Sequence, residues 1–162
     1  MDNIILIGMP GSGKSTIGVL LAKMMGYGFV DTDLLIQHFE GKKLYEILRD
    51  KGNDYFSETE NKILSGIQAR HTVIATGGSA VFGKEAMEHL SSIGRVVYLK
   101  VSLRELKRRI KNFSTRGIMM KKGQTLDDIF TERSPLYEKY ADVTIDCDNK
   151  TIREIVNCIV NP

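Results

Sequence analysis

Cysteine is scarce: Cys147 and Cys158 are the only two in 162 residues. One such pair builds neither a disulfide framework nor a metal-ligand set, so both are read as small apolar residues of a reduced, cytoplasmic protein. Long apolar runs are missing as well. No stretch approaches the roughly 18 residues that a membrane helix needs. The opening "IILIG" is too short for a secretory leader and has no basic segment before it. Net charge of one sign is also small. The 23 basic and 20 acidic residues leave +3, too little to predict binding to nucleic acid or to a membrane surface. Any grip on an anion has to come from local placement. What remains is ordinary for one soluble domain, 1–162, with 42% apolar and 27% charged residues and enough length for a core.

Strand and helix signals alternate. Ile4 to Ile7 run apolar without a break and end in glycine, as in a parallel strand buried on both faces. From Lys14, the residues Ile17, Leu20, Leu21 and Met24 recur at helical spacing, and Gly26 and Gly28 stop that helix. "YGFVDTD" reads as a second strand ending in Asp31 and Asp33. Residues 34–70 carry helical apolar faces, divided by Gly41 and Gly52, and hold no strand candidate. "TVIAT" and "RVVYLKV" are further strands, with a helix near 84–91 between them. Ser102 and Glu105 predict a reciprocal capping box for the helix that follows. Thr125 opens a helix to about Tyr140, "DVTIDC" is a last strand, and Thr151 caps a final helix. The alternation predicts an α/β fold with a parallel sheet.

Two places carry chemistry. The spacing Gly8-x4-Gly13-Lys14-Ser15, with a strand before it and a helix after, is a P-loop. Its glycines let backbone N–H groups approach phosphate oxygens without a Cβ in the way, and the helix start adds its positive dipole end. Lys14 supplies a cation for the β- and γ-phosphates and Ser15 a hydroxyl for Mg²⁺. A dinucleotide fingerprint is excluded because position 16 is threonine. The second place is Asp31 and Asp33 at the carboxyl end of the second strand. At period two both face the P-loop, one able to hold Mg²⁺ through water and the other to orient or deprotonate an acceptor hydroxyl. An N-cap pair for a helix beginning at Leu34 explains them equally well. Residues 111–124, basic and containing two glycines, have the composition of a segment that closes over such a site.

The stretches "GMPGSGKSTIG", "DTD", "TGG", "TRG" and "RSPLYEKYAD" stand in an order and at separations that resemble the shikimate kinase family along nearly the whole chain. The resemblance implies a three-layer P-loop fold with a five-stranded parallel sheet in the order 2-3-1-4-5. It implies an acceptor-binding helical insertion at 34–70 and a mobile lid at 111–124. The activity implied is transfer of the ATP γ-phosphoryl to the 3-hydroxyl of shikimate, a small carboxylated alcohol, by a monomer using ATP and Mg²⁺. By the same resemblance, Gly11, Ser12, Gly13, Lys14, Ser15 and Thr16 wrap the phosphates, and Ser15 and Asp31 serve the metal. Asp33 binds the acceptor hydroxyls. Gly77 and Gly78 lie against the acceptor, and Arg133 pairs with its carboxylate. Arg109 lies near the nucleotide, and Arg116, in the lid, reaches ATP phosphate. Lys14, Asp33 and Arg116 are the catalytic set. From residue type alone, Arg116 could be a solvated surface charge, and Arg133 could pair with Glu132 or Glu138.

Three positions depart from the family pattern. Its F-R-x-x-E reads Phe56-Ser57-Glu58-Thr59-Glu60, which removes an arginine from the acceptor carboxylate. The glycine triplet reads Gly77-Gly78-Ser79, placing a Cβ where acceptor meets backbone. The lid's R-P-L-L reads Arg116-Gly117-Ile118-Met119, and glycine for proline is expected to loosen it. A shikimate kinase relying on Arg133, a kinase of a related polyol, and a nucleotide-binding homologue with little catalysis all fit. A nucleoside monophosphate kinase needs an arginine-rich acceptor site, and residues 34–70 hold only Arg49 and Arg70. A nucleotide-gated regulatory module is the non-enzyme alternative.

Overall fold

Strand β1 (Asn3–Ile7) is buried at all five residues, the environment its unbroken apolar run requires. The computed structural model describes residues 2–111 and 117–162, so Arg116 lies outside the described residues. β1 is the middle strand of a parallel sheet. It pairs with β3 (Thr72–Ala75) on one side and β4 (Gly94–Lys100) on the other, setting Ile5 beside Ile74 and Val96. Strands β2 (Gly28–Asp31) and β5 (Val143–Asp146) lie outermost, in the order β2-β3-β1-β4-β5. Ile5, Leu6, Ile7, Ile74 and Val96 are fully buried, each contributing about 1.5–3 kcal/mol of transfer free energy.

The helices are α1 (Lys14–Met25), α2 (Thr32–Glu40), α3 (Leu44–Ser65), α4 (Lys84–Ile93), α5 (Leu103–Arg109), α6 (Leu126–Tyr140) and α7 (Ile152–Val160). α1 packs against β3 and α7, while α3 packs against α4 and α2. With its five parallel strands in this order, the sheet has the topology of the P-loop fold. α1 ends on Gly26 and α2 on Gly41, at φ 68° and 65°, where only glycine is unstrained. Gly52 (φ 84°, ψ 175°) interrupts α3, so the two glycines divide residues 34–70 as their positions suggested.

Local capping mostly follows the sequence. Thr125 with Asp128, and Thr151 with Glu154, form complete capping boxes. At α5 only half of the expected box exists. Ser102 Oγ accepts from the Glu105 N–H, but the Ser102 N–H donates to Asp148 Oδ1. Glu105 turns instead to Arg108 and Arg109, whose charge attracts its carboxylate more strongly than a neutral amide does.

Candidate active site

The turn from β1 into α1 carries the glycines. Gly11 and Gly13 have φ of 81° and 93°, which any other residue adopts only with strain. Gly13 caps α1 without a side-chain bond, and no acid lies in that helix's first turn. The positive end of α1 is therefore left to an external anion. Lys14 opens the helix with its amine folded under the loop. Nζ donates to the carbonyls of Gly8 and Met9 at 2.8 Å each and to Ser12 Oγ at 3.3 Å. Burial, against the attraction of Asp33, lowers its pKa to about 8.

The carboxylate pair reaches the loop by a different route from the one expected. β2 ends at Asp31, and α2 starts at Thr32 rather than Leu34, so Asp33 stands on the first turn of a helix and the period-two argument fails. The cause is the N-cap. Asp31 Oδ1 accepts from the N–H groups of Asp33 and Leu34, which nucleates α2 two residues early. Asp31 Oδ2 meanwhile accepts from Ser15 Oγ at 2.7 Å. The capping and metal readings of Asp31 are thus compatible, because each uses its own oxygen. Asp33 has its pKa raised to about 6, mainly by burial and then by Asp31, with Lys14 opposing.

One cleft of about 520 Å³ runs from Gly11, Gly13 and Thr16, past Asp33, to Gly77, Gly78 and Arg133. Arg133 is 2% exposed and forms no ion pair with any described residue, so Glu132 and Glu138 do not hold it. It lies 5.3 Å from the centre of the Phe82 ring and donates through Nη2 to the Met119 carbonyl. Its Nε has no hydrogen-bond partner among the described residues. Arg109 reaches the loop from α5, donating to the Gly11 carbonyl at 3.2 Å.

The shikimate kinase family profile matches residues 10–162. The chain belongs to the shikimate kinase family. It is a phosphotransferase, and its cofactors are ATP and Mg²⁺. A shikimate kinase of Persephonella marina is 35% identical over 161 residues, covering 99% of this chain and 98% of that one. One from Clostridium botulinum (strain ATCC 19397 / Type A) is 42% identical over 144 residues, covering 86% and 84%. The structure of shikimate kinase from Acinetobacter baumannii in complex with shikimate superposes with a TM-score of 0.89 at 30% identity, covering 99% of this chain and 91% of that one.

The kinase brings Lys14, Ser15, Thr16, Asp33, Gly77, Gly78, Arg109 and Arg133 to one cleft. Ser12 lies beneath the loop, 1% exposed, and Asp31 joins through Ser15. The departures look different in three dimensions. Gly117, expected to loosen its segment, has φ 64° and sits on α3, where a Cβ would lie 2.7 Å from Leu44 Cβ. Proline cannot adopt that φ. Here glycine allows close docking, which Asn53 reinforces by donating to the Met120 carbonyl at 2.8 Å. Ser57 Oγ faces Met119 Sδ at 3.0 Å. Ser79 Oγ donates to Glu60 Oε1 at 2.7 Å.

The sequence motifs contain Glu60 and Tyr137 but assign them no role. Glu60 occupies a buried stripe with Phe56 and Leu64 at i±4, and a lone carboxylate in such a stripe was the available signal. Tyr137, four residues after Arg133, donates to the Gly78 carbonyl at 2.5 Å and fixes that turn. The turn is tight on its other side too. A Cβ on Gly77 would lie 2.6 Å from Asp33 Oδ1. Gly77→Ala should therefore displace Asp33 and lower kcat with shikimate by about tenfold or more, with ATP affinity measured by calorimetry unchanged. Wild-type kcat in that variant would show that Asp33 does not need its present position.

Proposed function

We propose that this kinase transfers the γ-phosphoryl of ATP to the 3-hydroxyl of shikimate. The observation that carries the reading is the single cleft joining the glycine loop to Asp33 and to Arg133, which forms no ion pair with any described residue. Backbone N–H groups from Gly11 to Thr16 grip the phosphates, except that of Ser12, which donates to the Met9 carbonyl at 3.1 Å, and Lys14 exchanges its loop carbonyls for phosphate oxygens. Ser15 and Asp31, already bonded to each other, suit Mg²⁺, a hard cation that takes oxygen ligands and keeps water. Among the described residues no cluster of three or more His, Cys, Asp or Glu could hold a metal alone, which fits an ion carried in with the triphosphate. When bound, Mg²⁺ neutralises charge on the transferring phosphoryl group. Asp33 orients the acceptor hydroxyl and takes its proton as the oxygen–phosphorus bond forms and the β,γ-bridging bond breaks. Arg133 holds the acceptor carboxylate, Gly77 and Gly78 line the acceptor through backbone, and Arg109 flanks the nucleotide. Arg116 belongs to the phosphate-binding set by its place in the sequence. The reading extends to one domain over 1–162, with acceptor helices at 34–70 and a lid at 111–124, in a cytoplasmic monomer without a nucleic-acid or membrane partner. No helix among the described residues is long and apolar enough to cross a membrane.

The test is ADP release with Mg-ATP in the presence and absence of shikimate, beside a panel of polyols lacking its carboxylate. Shikimate-dependent release is expected. Turnover restricted to another polyol would overturn the acceptor assignment, and nucleotide binding without any acceptor would overturn the enzyme reading. Ser57→Arg sharpens the result. A charge-assisted contact to the acceptor carboxylate is worth about 1.5–3 kcal/mol, so KM for shikimate should fall by about 10- to 150-fold with ATP parameters fixed. An unchanged or higher KM would show a pocket shaped for something else.

A further inference from the structure

The acceptor wall contains a carboxyl group that phosphoryl transfer does not use. Glu60 is 3% exposed, its Oε1 accepts from Ser79 Oγ, and its Oε2 has no partner among the described residues. Oε2 lies 3.1 Å from the point where a Cβ on Gly77 would sit, and Asp33 Oδ1 lies 2.6 Å from that same point. Two carboxyl groups thus converge on the Gly77 turn. Ser79 itself lines the cleft with Gly78 and Arg133 while its Oγ donates to Glu60, so this residue links the buried carboxyl group to the cleft. A side cavity of about 230 Å³ connects Ser57, Glu60 and Ser79, giving this wall room behind it.

We propose that Ser79 is a specificity-determining residue of the acceptor site, and that Glu60 is the positioning residue that decides whether the Ser79 hydroxyl donates to the acceptor or accepts from it. The proposal rests on the reading that the acceptor binds in this cleft. A serine hydroxyl has one hydrogen to give, and an ionised carboxylate can only accept. With Glu60 ionised, the Ser79 hydrogen is committed to Oε1 and only lone pairs face the cleft, which suits an acceptor hydroxyl. With Glu60 neutral, its own O–H can donate to Ser79 Oγ, and the serine hydrogen is released toward an acceptor carboxylate beside Arg133. The groups facing Glu60 are Asp33 from α2, Arg133 and Tyr137 from α6, and Lys84 and Glu85 from α4 across the side cavity, with Glu58 on its own helix. Burial dominates, Ser79 and Arg133 oppose it, and Asp33 adds to it. The resulting pKa of about 7 makes both states accessible near neutrality.

The experiment measures KM for shikimate from well below to well above pH 7 in wild type, Glu60→Gln, Ser79→Ala and Ser79→Thr. In wild type, KM should rise by about three- to tenfold as Glu60 ionises. Glu60→Gln should flatten that rise. Ser79→Ala should show the raised KM at every pH, Ser79→Thr should restore the profile, and KM for ATP should not move. A merely structural role for the pair would shift stability without changing the shape of the profile. Retention of the wild-type profile in Glu60→Gln, or an unchanged KM in Ser79→Ala, overturns the proposal. Absence of shikimate-dependent turnover in wild type overturns the acceptor reading instead, and melting temperatures then test the pair. Folding raises the Glu60 pKa from 4.5 to about 7, so the folded state holds the proton more tightly. Wild type should therefore lose stability relative to Glu60→Gln as pH rises from 4.5 to about 7. Parallel curves would overturn the pair.

Discussion

Asp33→Asn should lower kcat by about 10²–10⁴-fold, the range for loss of a positioned general base. ATP affinity should stay within about twofold, since asparagine preserves size and can still hydrogen-bond. The reason is positional. Asp33 stands on the first turn of α2, between the Lys14 amine and the Gly77 turn, and shares the cleft with both. Its raised pKa makes it a better proton acceptor than an ordinary surface carboxylate, and asparagine cannot take a proton at all. Steady-state rates with saturating shikimate, beside calorimetric ATP titration, measure the two quantities separately. A variant with kcat within about tenfold of wild type would move the proton to another group, since a base is expected to supply at least about 10²-fold. A variant that loses ATP binding as well would make Asp33 part of the nucleotide site.

Lys14→Met carries the second large expectation. Methionine is unbranched and adaptable, so it can follow the same path beneath the loop without a charge. In the proposed reaction the lost cation would turn to the phosphoryl group as charge moves onto the leaving oxygen, and removal of one such donor costs about 10²–10³-fold in rate. ATP affinity should weaken as well, which separates this variant from Asp33→Asn. The carbonyls of Gly8 and Met9 lose their donor, while an expensive buried charge disappears. These opposing terms predict only a small shift in melting temperature, so lost activity would not reflect an unfolded chain. Rates within about tenfold of wild type would show that the backbone amides and helix dipole hold the phosphates unaided.

Much of this was legible in the residues because local chemistry and tertiary demand agree. The P-loop spacing, the buried β1 run and the threonine caps each depend on neighbours close in sequence. The Asp31–Asp33 geometry was not legible, since periodicity cannot tell a strand's last residue from a helix's cap when one aspartate serves as both. Arg133 could not be separated from a local ion pair until α6 was seen to turn it under Phe82 and away from Glu132 and Glu138. Ser79 read as a plain intrusion on the backbone. Its true direction depends on Glu60, nineteen positions earlier and on another element.

The contact between Gly78 and Pro10 separates what this enzyme can change from what it cannot. A Cβ on Gly78 would lie 2.6 Å from the Pro10 ring, so the glycine loop and the Gly77–Gly78 turn are divided by a partition one glycine thick. Novelty at that partition disturbs both halves of the reaction together. Ser57 and Ser79 flank the side cavity beside Glu60, which no described residue of the glycine loop lines. Acceptor preference can therefore drift across generations on that flank while the machinery that handles the triphosphate is inherited intact.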